Sequence, residues 1–192
     1  MNRTDPVHAG IEPHWIDQEQ FRRTLMPATV RMWLYDQGSL TAALKCACRS
    51  PRFQVRVLHQ GWGRPLYSEA RVLGSRSGAI AIVREVELHC DGVPWVFART
   101  LIPASSLRGS ARRLAHLGER PLGEVLFSDR RMQRGVMEMA RLSSRHRLFQ
   151  SAVARLPKRP GAIWGRRTLF HMGRHPLLVN ELFLPDIPER SR

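Results

Sequence analysis

The sequence predicts an α+β fold, in which helices pack against one antiparallel β-sheet. Apolar and polar residues alternate over several short segments, and Asp91-Gly92 is a hairpin turn signal between two of them. The helical segments lie elsewhere, without the regular strand–helix alternation of a doubly wound fold. The length suits one domain, so we expect residues 1–192 to form it, with residues 1–15 as a loose tail.

The N-terminal segments predict helices. Proline stands before the second of them and Gly38 ends it, while Ser39 can cap the third. The predicted helices are Asp17–Leu25, Ala28–Tyr35 and Leu40–Ala47.

The middle of the chain predicts strands because alternating and β-branched residues follow one another there. The predicted strands are Phe53–His59, Leu66–Leu73, Ala79–His89 and Trp95–Ile102. The last two form the hairpin around the Asp91-Gly92 turn.

The C-terminal half predicts both element types. A helical stretch follows Pro103, and proline starts a short helix at Pro121–Phe127. The remaining predictions are an amphipathic helix over Met132–Leu142, a basic surface loop over 143–161, and two closing strands over Trp164–Met172 and Leu177–Leu184.

The charge and the cysteines limit the function classes. The formal net charge of +15 comes almost entirely from arginine, which suits phosphate binding, steering of a small polyanion, or merely solvated helix faces. The sequence has no apolar run long enough to cross a bilayer and no secretory h-region, so we expect a cytoplasmic protein. Three cysteines, Cys46, Cys48 and Cys90, argue against a disulfide framework and against a zinc site.

Two charged residues stand out on otherwise apolar strand faces. By alternation Arg84 shares a face with Ile82 and Val86, and Glu181 shares one with Val179 and Phe183. A charge on a core face is costly unless it is paired, so the two side chains could simply form an ion pair with each other. Alternatively they flank a cavity, where the guanidinium binds a carboxylate and the glutamate handles a proton or a hydroxyl.

Five blocks in order resemble the chorismate pyruvate-lyase family of ubiquinone biosynthesis. They are distributed over residues 80–185. The blocks are Val83-Arg84-Glu85-Val86-Glu87-Leu88 with Asp91-Gly92-Val93-Pro94-Trp95, Ala98-Arg99-Thr100-Leu101-Ile102-Pro103, Leu117-Gly118-Glu119-Arg120-Pro121-Leu122-Gly123-Glu124-Val125-Leu126-Phe127, Ile163-Trp164-Gly165-Arg166-Arg167, and Pro176-Leu177-Leu178-Val179-Asn180-Glu181-Leu182-Phe183-Leu184-Pro185.

The resemblance implies a lyase that converts chorismate into 4-hydroxybenzoate and pyruvate without cofactor or metal, with a buried site beneath helical flaps. It implies that Arg84 holds the carboxylate of the aromatic product and that Glu181 lies near its 4-hydroxyl end. Leu122 would contribute backbone contacts, and Leu40 stands where the family has a methionine. We expect a monomer that binds chorismate, is inhibited by its aromatic product, and has neither a nucleic-acid partner nor a membrane insertion.

Two other function classes remain open. Related sheets sense small ligands for transcription regulators, so the chain could be a non-catalytic domain that binds an aromatic acid. A nucleic-acid binder is motivated by charge alone, because the sequence has no RNP-type aromatic signature or zinc module.

Overall fold

Seven strands form one antiparallel sheet in the computed structural model, which describes residues 11–21, 26–48, 52–76, 78–107, 109–129 and 131–190. The order across the sheet is β1-β5-β6-β7-β4-β3-β2. The strands are β1 (Ile16–Asp17), β2 (Phe53–Gly63), β3 (Ala81–Cys90), β4 (Val93–Pro103), β5 (Met132–Leu142), β6 (Ile163–Met172) and β7 (His175–Phe183).

Within the described ranges, five α-helices and two 3-10 helices, Ala104–Ser106 and Gly109–His116, cover this sheet. The α-helices are α1 (Ala28–Tyr35), α2 (Leu40–Ala47), α3 (Tyr67–Val72), α4 (Leu122–Ser128) and α5 (Arg147–Val153). The α+β class with an antiparallel sheet is therefore confirmed. Among the described residues, no helix is long and apolar enough to cross a membrane.

The predicted hairpin between β3 and β4 is confirmed, and its turn has a local cause. Asp91 and Gly92 both adopt positive φ, at 51° and 81°. Two consecutive residues of that kind match the right-handed twist of paired strands. Aspartate and glycine tolerate the conformation, which is why this dipeptide predicted the turn correctly.

Each face of the sheet buries its own apolar clusters. On one face, α1 and α2 pack over one end of the strands, and α4 with the longer 3-10 helix packs over the other end. On the opposite face lie α3 and α5. The two clusters of the first face leave a seam between them, and that seam crosses the middle of β3, β4, β6 and β7.

The seam carries polar side chains, because β3 and β7 each place one charged residue there between two apolar residues of the same face. On β3, Arg84 separates Ile82 of one cluster from Val86 of the other. On β7, Glu181 separates Val179 from Phe183 in the same way. Alternation along each strand thus places both charges on one face, between two apolar cores.

Four sequence predictions of secondary structure are wrong, in full or in part. The predicted strand Leu66–Leu73 is helix α3, and the predicted helix Met132–Leu142 is strand β5. The predicted loop 143–161 contains α5, and Ile16–Asp17 is a strand where a helix was expected from Asp17. Residues 22–25 of that expected helix lie outside the described part of the chain.

Helix α3 forms because carboxylates satisfy its first backbone amides. The Glu69 side chain accepts a hydrogen bond from Leu66 N at 2.8 Å. Glu12, distant in sequence, accepts from Tyr67 N at 2.7 Å and from Ser68 N at 2.8 Å. Free amides at a helix start need such acceptors, and the local sequence alone does not reveal the contribution of Glu12.

Strand β5 was mistaken for a helix because a bulge interrupts its alternation. The register with β6 shifts between Arg134 and Met137, so the apolar positions before and after the bulge lose their common period of two. Their spacing then imitates a helical period. After the bulge, Met137 and Met139 alternate inward as strand residues do.

Two further expectations need correction. Residues 11–15 are not loose, because Trp15 is buried and Ile11 pairs with His146, while residues 1–10 lie outside the described part. Cys48 and Cys90 form a disulfide with a Cα–Cα distance of 5.7 Å, which the uneven cysteine count argued against. The bond fastens the end of α2 to the end of β3, and Cys46 is an exposed free cysteine.

Candidate functional site

A cavity of about 50 Å³ lies in the seam, between the sheet and the helices α2 and α4. Apolar side chains of both clusters form most of its wall. Four charged side chains also line it: Arg84, Arg134, Arg166 and Glu181. An enclosed apolar space with a few converging charges is typical of a site for a small charged molecule.

The structure brings all four sequence-predicted residues to this cavity. Arg84 enters from β3 and Glu181 from β7. Leu40 and Leu122 are the first residues of α2 and α4, and both line the cavity from the helical side. These two helices therefore occupy the position of the expected flaps.

Arg84 is a buried cation without an ion pair among the described residues. Its side chain is 2% exposed. Nη1 donates to Gln60 Oε1 at 2.6 Å, and Nη2 donates to the carbonyl oxygen of Arg120 at 3.3 Å. Burial lowers the pKa of this guanidinium below its usual value. Neutral partners leave its charge uncompensated, and an anionic ligand would compensate it.

Glu181 is paired with Arg166 and not with Arg84, so the expected alternative of an Arg84–Glu181 ion pair is wrong. Arg166 Nε donates to Glu181 Oε2 at 2.5 Å from the directly opposite position on β6. Arg166 Nη1 also donates to the carbonyl oxygens of Trp33 and Asp36 at the end of α1. The Arg166 guanidinium therefore fixes Glu181 and caps a helix end at the same time.

Arg134 is the third cation of the cavity. Its guanidinium lies over the rings of Phe127 and Phe170, at 5.6 and 5.2 Å from their centroids. Nη2 donates to the carbonyl oxygen of Gly38 at 3.1 Å. Burial, followed by the neighbouring Arg166 charge, lowers the pKa of Arg134, although Glu181 acts in the opposite direction.

The charges of the cavity do not cancel. Three guanidinium groups face one carboxylate, which leaves two positive charges on its walls. In a buried site of low dielectric such an excess strongly favours anions. The arrangement can thus bind a small dianion whose remaining surface is apolar.

A second, wider groove of about 500 Å³ lies on the opposite face, beside α3 and α5. It contains Arg99, whose guanidinium already bonds Glu69 at 3.0 Å and Glu85 at 2.8 Å. Burial lowers the pKa of Arg99, but the two carboxylates outweigh burial and raise it overall. An arginine satisfied in this way has structural partners, so we assign the site to the seam cavity.

The seam cavity is smaller than a ligand ring requires. An apolar protein cavity that encloses benzene measures about 150 Å³. A ring can therefore enter only if the walls of the cavity move apart, and α2 and α4 form the helical part of those walls. The two helices meet at Gly123, and an exposed ion pair between Lys45 and Glu124, 2.6 Å long, also joins them. Such an exposed pair contributes little to stability.

The substitution Gly123→Ala is expected to open these flaps. The new Cβ would lie 2.9 Å from Thr41 Oγ1 and 3.4 Å from Ser39 Oγ, so the Thr41 side chain must rotate or α4 must shift away from α2, and either change disturbs the contact between the two helices. We expect an aromatic acid to dissociate about 10-fold faster, since looser closure reduces burial of the bound ring. Stopped-flow displacement measures this rate. Gly161→Ala, where an added Cβ meets nothing within 4 Å, is the matched control. Equal rates in both variants would contradict a gating contact at Gly123.

Sequence reasoning missed Arg134 and Arg166. Arg166 alternates with Trp164 and Thr168 on β6, so the pattern that revealed Arg84 would also have revealed Arg166. Arg134 lies beside the bulge of β5 in a segment predicted as a helix. No periodic signal in the sequence marks it.

Comparisons with known proteins agree on one family. The family model described as chorismate lyase matches residues 12–192. A protein of Methylococcus capsulatus, named probable chorismate pyruvate-lyase, is 47% identical over 162 residues, which are 83% of this chain and 98% of the relative. A protein of Aromatoleum aromaticum with the same name is 43% identical over 184 residues, which are 93% and 97% of the two chains.

Two solved structures with a similar fold are domains of transcription regulators. The C-terminal domain of the histidine utilization repressor from Pseudomonas syringae pv. tomato has a TM-score of 0.54 at 10% identity, over 73% of this chain and 97% of that one. The ligand-binding domain of a putative GntR-family regulator from Bordetella bronchiseptica has a TM-score of 0.51 at 19% identity, over 73% and 88%. At such identities the likeness shows the fold alone.

Proposed function

Because the chain belongs to the chorismate lyase family, we propose that it converts chorismate into 4-hydroxybenzoate and pyruvate. The observation that carries this proposal is the pair of opposed charges in one cavity, a buried guanidinium without an ionic partner at Arg84 and a carboxylate fixed by Arg166 at Glu181. In this assignment Arg84 binds the ring carboxylate and Glu181 faces the 4-hydroxyl.

The proposed reaction needs little covalent help from the protein. The ether bond at C3 breaks and its electron pair leaves with the oxygen of the side chain, while C4 loses its proton. The ring becomes aromatic, and the released enolpyruvate takes up a proton at its methylene carbon to give pyruvate. No electrons enter or leave, so we propose catalysis by positioning in a dry pocket without a cofactor.

The helical flaps have defined parts in this proposal. Leu122 begins α4, where its backbone can meet the ring carboxylate end of the ligand, and Leu40 begins α2 as an apolar wall. In this proposal α2 and α4 are the part of the wall that moves for entry and exit, so we expect slow release of the aromatic product and inhibition by it.

The wider setting is also part of the proposal. In this proposal the active unit is a monomer. We place the reaction in the cytoplasm, at the first committed step of ubiquinone biosynthesis, with chorismate and not a nucleic acid as the partner.

Incubation of the purified protein with chorismate and a metal chelator tests the activity. We expect 4-hydroxybenzoate, followed by its absorbance, and pyruvate, followed by a coupled dehydrogenase, to appear in equal amounts. Added 4-hydroxybenzoate should slow the reaction. Consumption of chorismate without these two products would contradict the proposal.

One alternative is a domain that binds an aromatic acid without turning it over. It is favoured by the likeness of the fold to the ligand-binding domain of a putative GntR-family regulator. If 4-hydroxybenzoate raises the melting temperature while chorismate stays intact, this alternative replaces the lyase.

A further inference from the structure

The cavity contains more cations than the aromatic product needs for its carboxylate. The product 4-hydroxybenzoate carries one carboxylate, which Arg84 serves in the proposed function. Arg166 is committed to Glu181 and to the carbonyl oxygens at the end of α1. Arg134 is the cation that remains on the described walls of the cavity.

One nitrogen of Arg134 lacks a partner inside the protein. Nη1 is buried without a hydrogen-bond acceptor among the described residues, whereas Nη2 bonds the carbonyl oxygen of Gly38. A buried donor without an acceptor is costly, and charged donors cost most. A ligand with an acceptor atom at this position would satisfy the buried donor.

The position of Arg134 fixes which part of a ligand it reaches. Arg84 lies on β3, while Arg134 lies on β5, beyond β4, β7 and β6 in the sheet order. Glu181 on β7 lies between them, and its charge acts on Arg134. A ring that extends from Arg84 to Glu181 therefore points its far end toward Arg134.

The substrate of the proposed function has its second carboxylate at that end. Chorismate carries the enolpyruvyl ether at C3, next to the hydroxyl at C4 and away from the ring carboxylate at C1. We propose that Arg134 binds the enolpyruvyl carboxylate of chorismate, an assignment that rests on the proposed lyase function. The two net positive charges of the cavity then match the two carboxylates of the substrate.

This contact also explains how the cavity distinguishes substrate from aromatic product. After cleavage the second carboxylate belongs to pyruvate, so Arg134 becomes the pyruvate site and 4-hydroxybenzoate no longer touches it. Arg134 also contacts both flaps, through Gly38 before α2 and Phe127 on α4. The substrate's second carboxylate therefore meets a residue that joins the two flaps.

A chemical double-mutant cycle tests the assignment. The variant Arg134→Met is paired with a chorismate analogue whose enolpyruvyl carboxylate is a methyl ester. We expect the variant to bind chorismate about 50-fold more weakly, the loss typical of a hydrogen bond to a charged group. The ester should bind the wild-type protein more weakly than chorismate does by a similar factor. On the variant, the ester and chorismate should bind with nearly equal affinity, because the variant and the ester each remove the same interaction. The affinity for 4-hydroxybenzoate should stay nearly constant.

Matched variants separate this role from a structural one. Arg141→Met removes an exposed arginine of the same strand, stacked on Trp164 outside the cavity, and should leave both affinities unchanged. Arg134→Lys keeps the positive charge and should lose less affinity for chorismate than Arg134→Met does.

Two outcomes would overturn the assignment of Arg134. If Arg134→Met weakens chorismate and 4-hydroxybenzoate equally, the residue merely holds the flaps together. If the loss of affinity caused by Arg134→Met and the loss caused by the ester are additive, Arg134 and the enolpyruvyl carboxylate do not contact each other. Failure of the wild-type protein to turn chorismate over would instead refute the proposed function, and wild-type turnover is measured first.

Discussion

Replacing Arg84 with methionine is expected to raise both the KM for chorismate and the Kd for 4-hydroxybenzoate about 100-fold, because a hydrogen bond to a charged group contributes about 1.5–3 kcal/mol. Substrate and product share the ring carboxylate, so both should weaken together. The free energy of unfolding should stay equal or rise, since the substitution removes a buried charge that has only neutral partners in the free protein. Initial-rate kinetics, product titration and thermal unfolding measure the three quantities.

Arg99→Met on the neighbouring strand is the control with the opposite expectation. Arg99 lies largely covered on the other face, between Glu69 and Glu85. Its loss leaves the buried carboxylate of Glu69 and the partly exposed carboxylate of Glu85 without their shared cation, and it should lower the free energy of unfolding by about 3–5 kcal/mol. If Arg84→Met destabilises the fold as strongly while binding is unchanged, Arg84 is a structural cation and its proposed role fails.

Strand alternation was sufficient to predict that Arg84 and Glu181 each lie on an otherwise apolar face of their strand. Both residues lie in the middle of long regular strands, where a period of two is the only geometry available. Their relation to each other was not predictable, because it depends on the strand order. Arg166 lies directly opposite Glu181 on β6, and it forms the ion pair with Glu181 that the sequence also allowed for Arg84.

The errors in the sequence predictions share a physical cause, which is contact with distant residues. Helix α3 depends on the carboxylate of Glu12, and β5 depends on pairing with β1 and β6 across a bulge. Local propensity is a weak prior, and tertiary contacts of this kind override it. The disulfide between Cys48 and Cys90 is a similar case, because only the fold brings α2 to the end of β3.

The position of the cavity follows from the way that two helical groups share one sheet face. Each group packs its own apolar cluster, and the seam between the clusters receives one charged residue from several strands. Burying these charges costs stability, which the two flanking clusters offset. A ligand that supplies counter-charges would recover part of that cost.

Glu181→Gln is expected to lower kcat about 100-fold, the size of effect that loss of one positioned acid–base group causes. Glutamine is nearly isosteric with glutamate, but it cannot take a proton, and it presents an amide to the 4-hydroxyl. The KM for chorismate should stay equal or fall, because the change makes the cavity more positive toward a dianion. Single-turnover kinetics separate this loss from any change in product release.

The pair of Arg167 with Glu138 provides the matched control. It joins β6 to β5 with the same donor atom at 2.6 Å and a similarly buried carboxylate, and it does not line the cavity. Glu138→Gln therefore removes an equivalent ion pair and should change stability without changing kcat. If both variants lower kcat alike, the effect comes from weakening the sheet. If only Glu181→Gln lowers kcat, the carboxylate acts on the substrate, and the Arg166 guanidinium that fixes it is a positioning residue for the reaction.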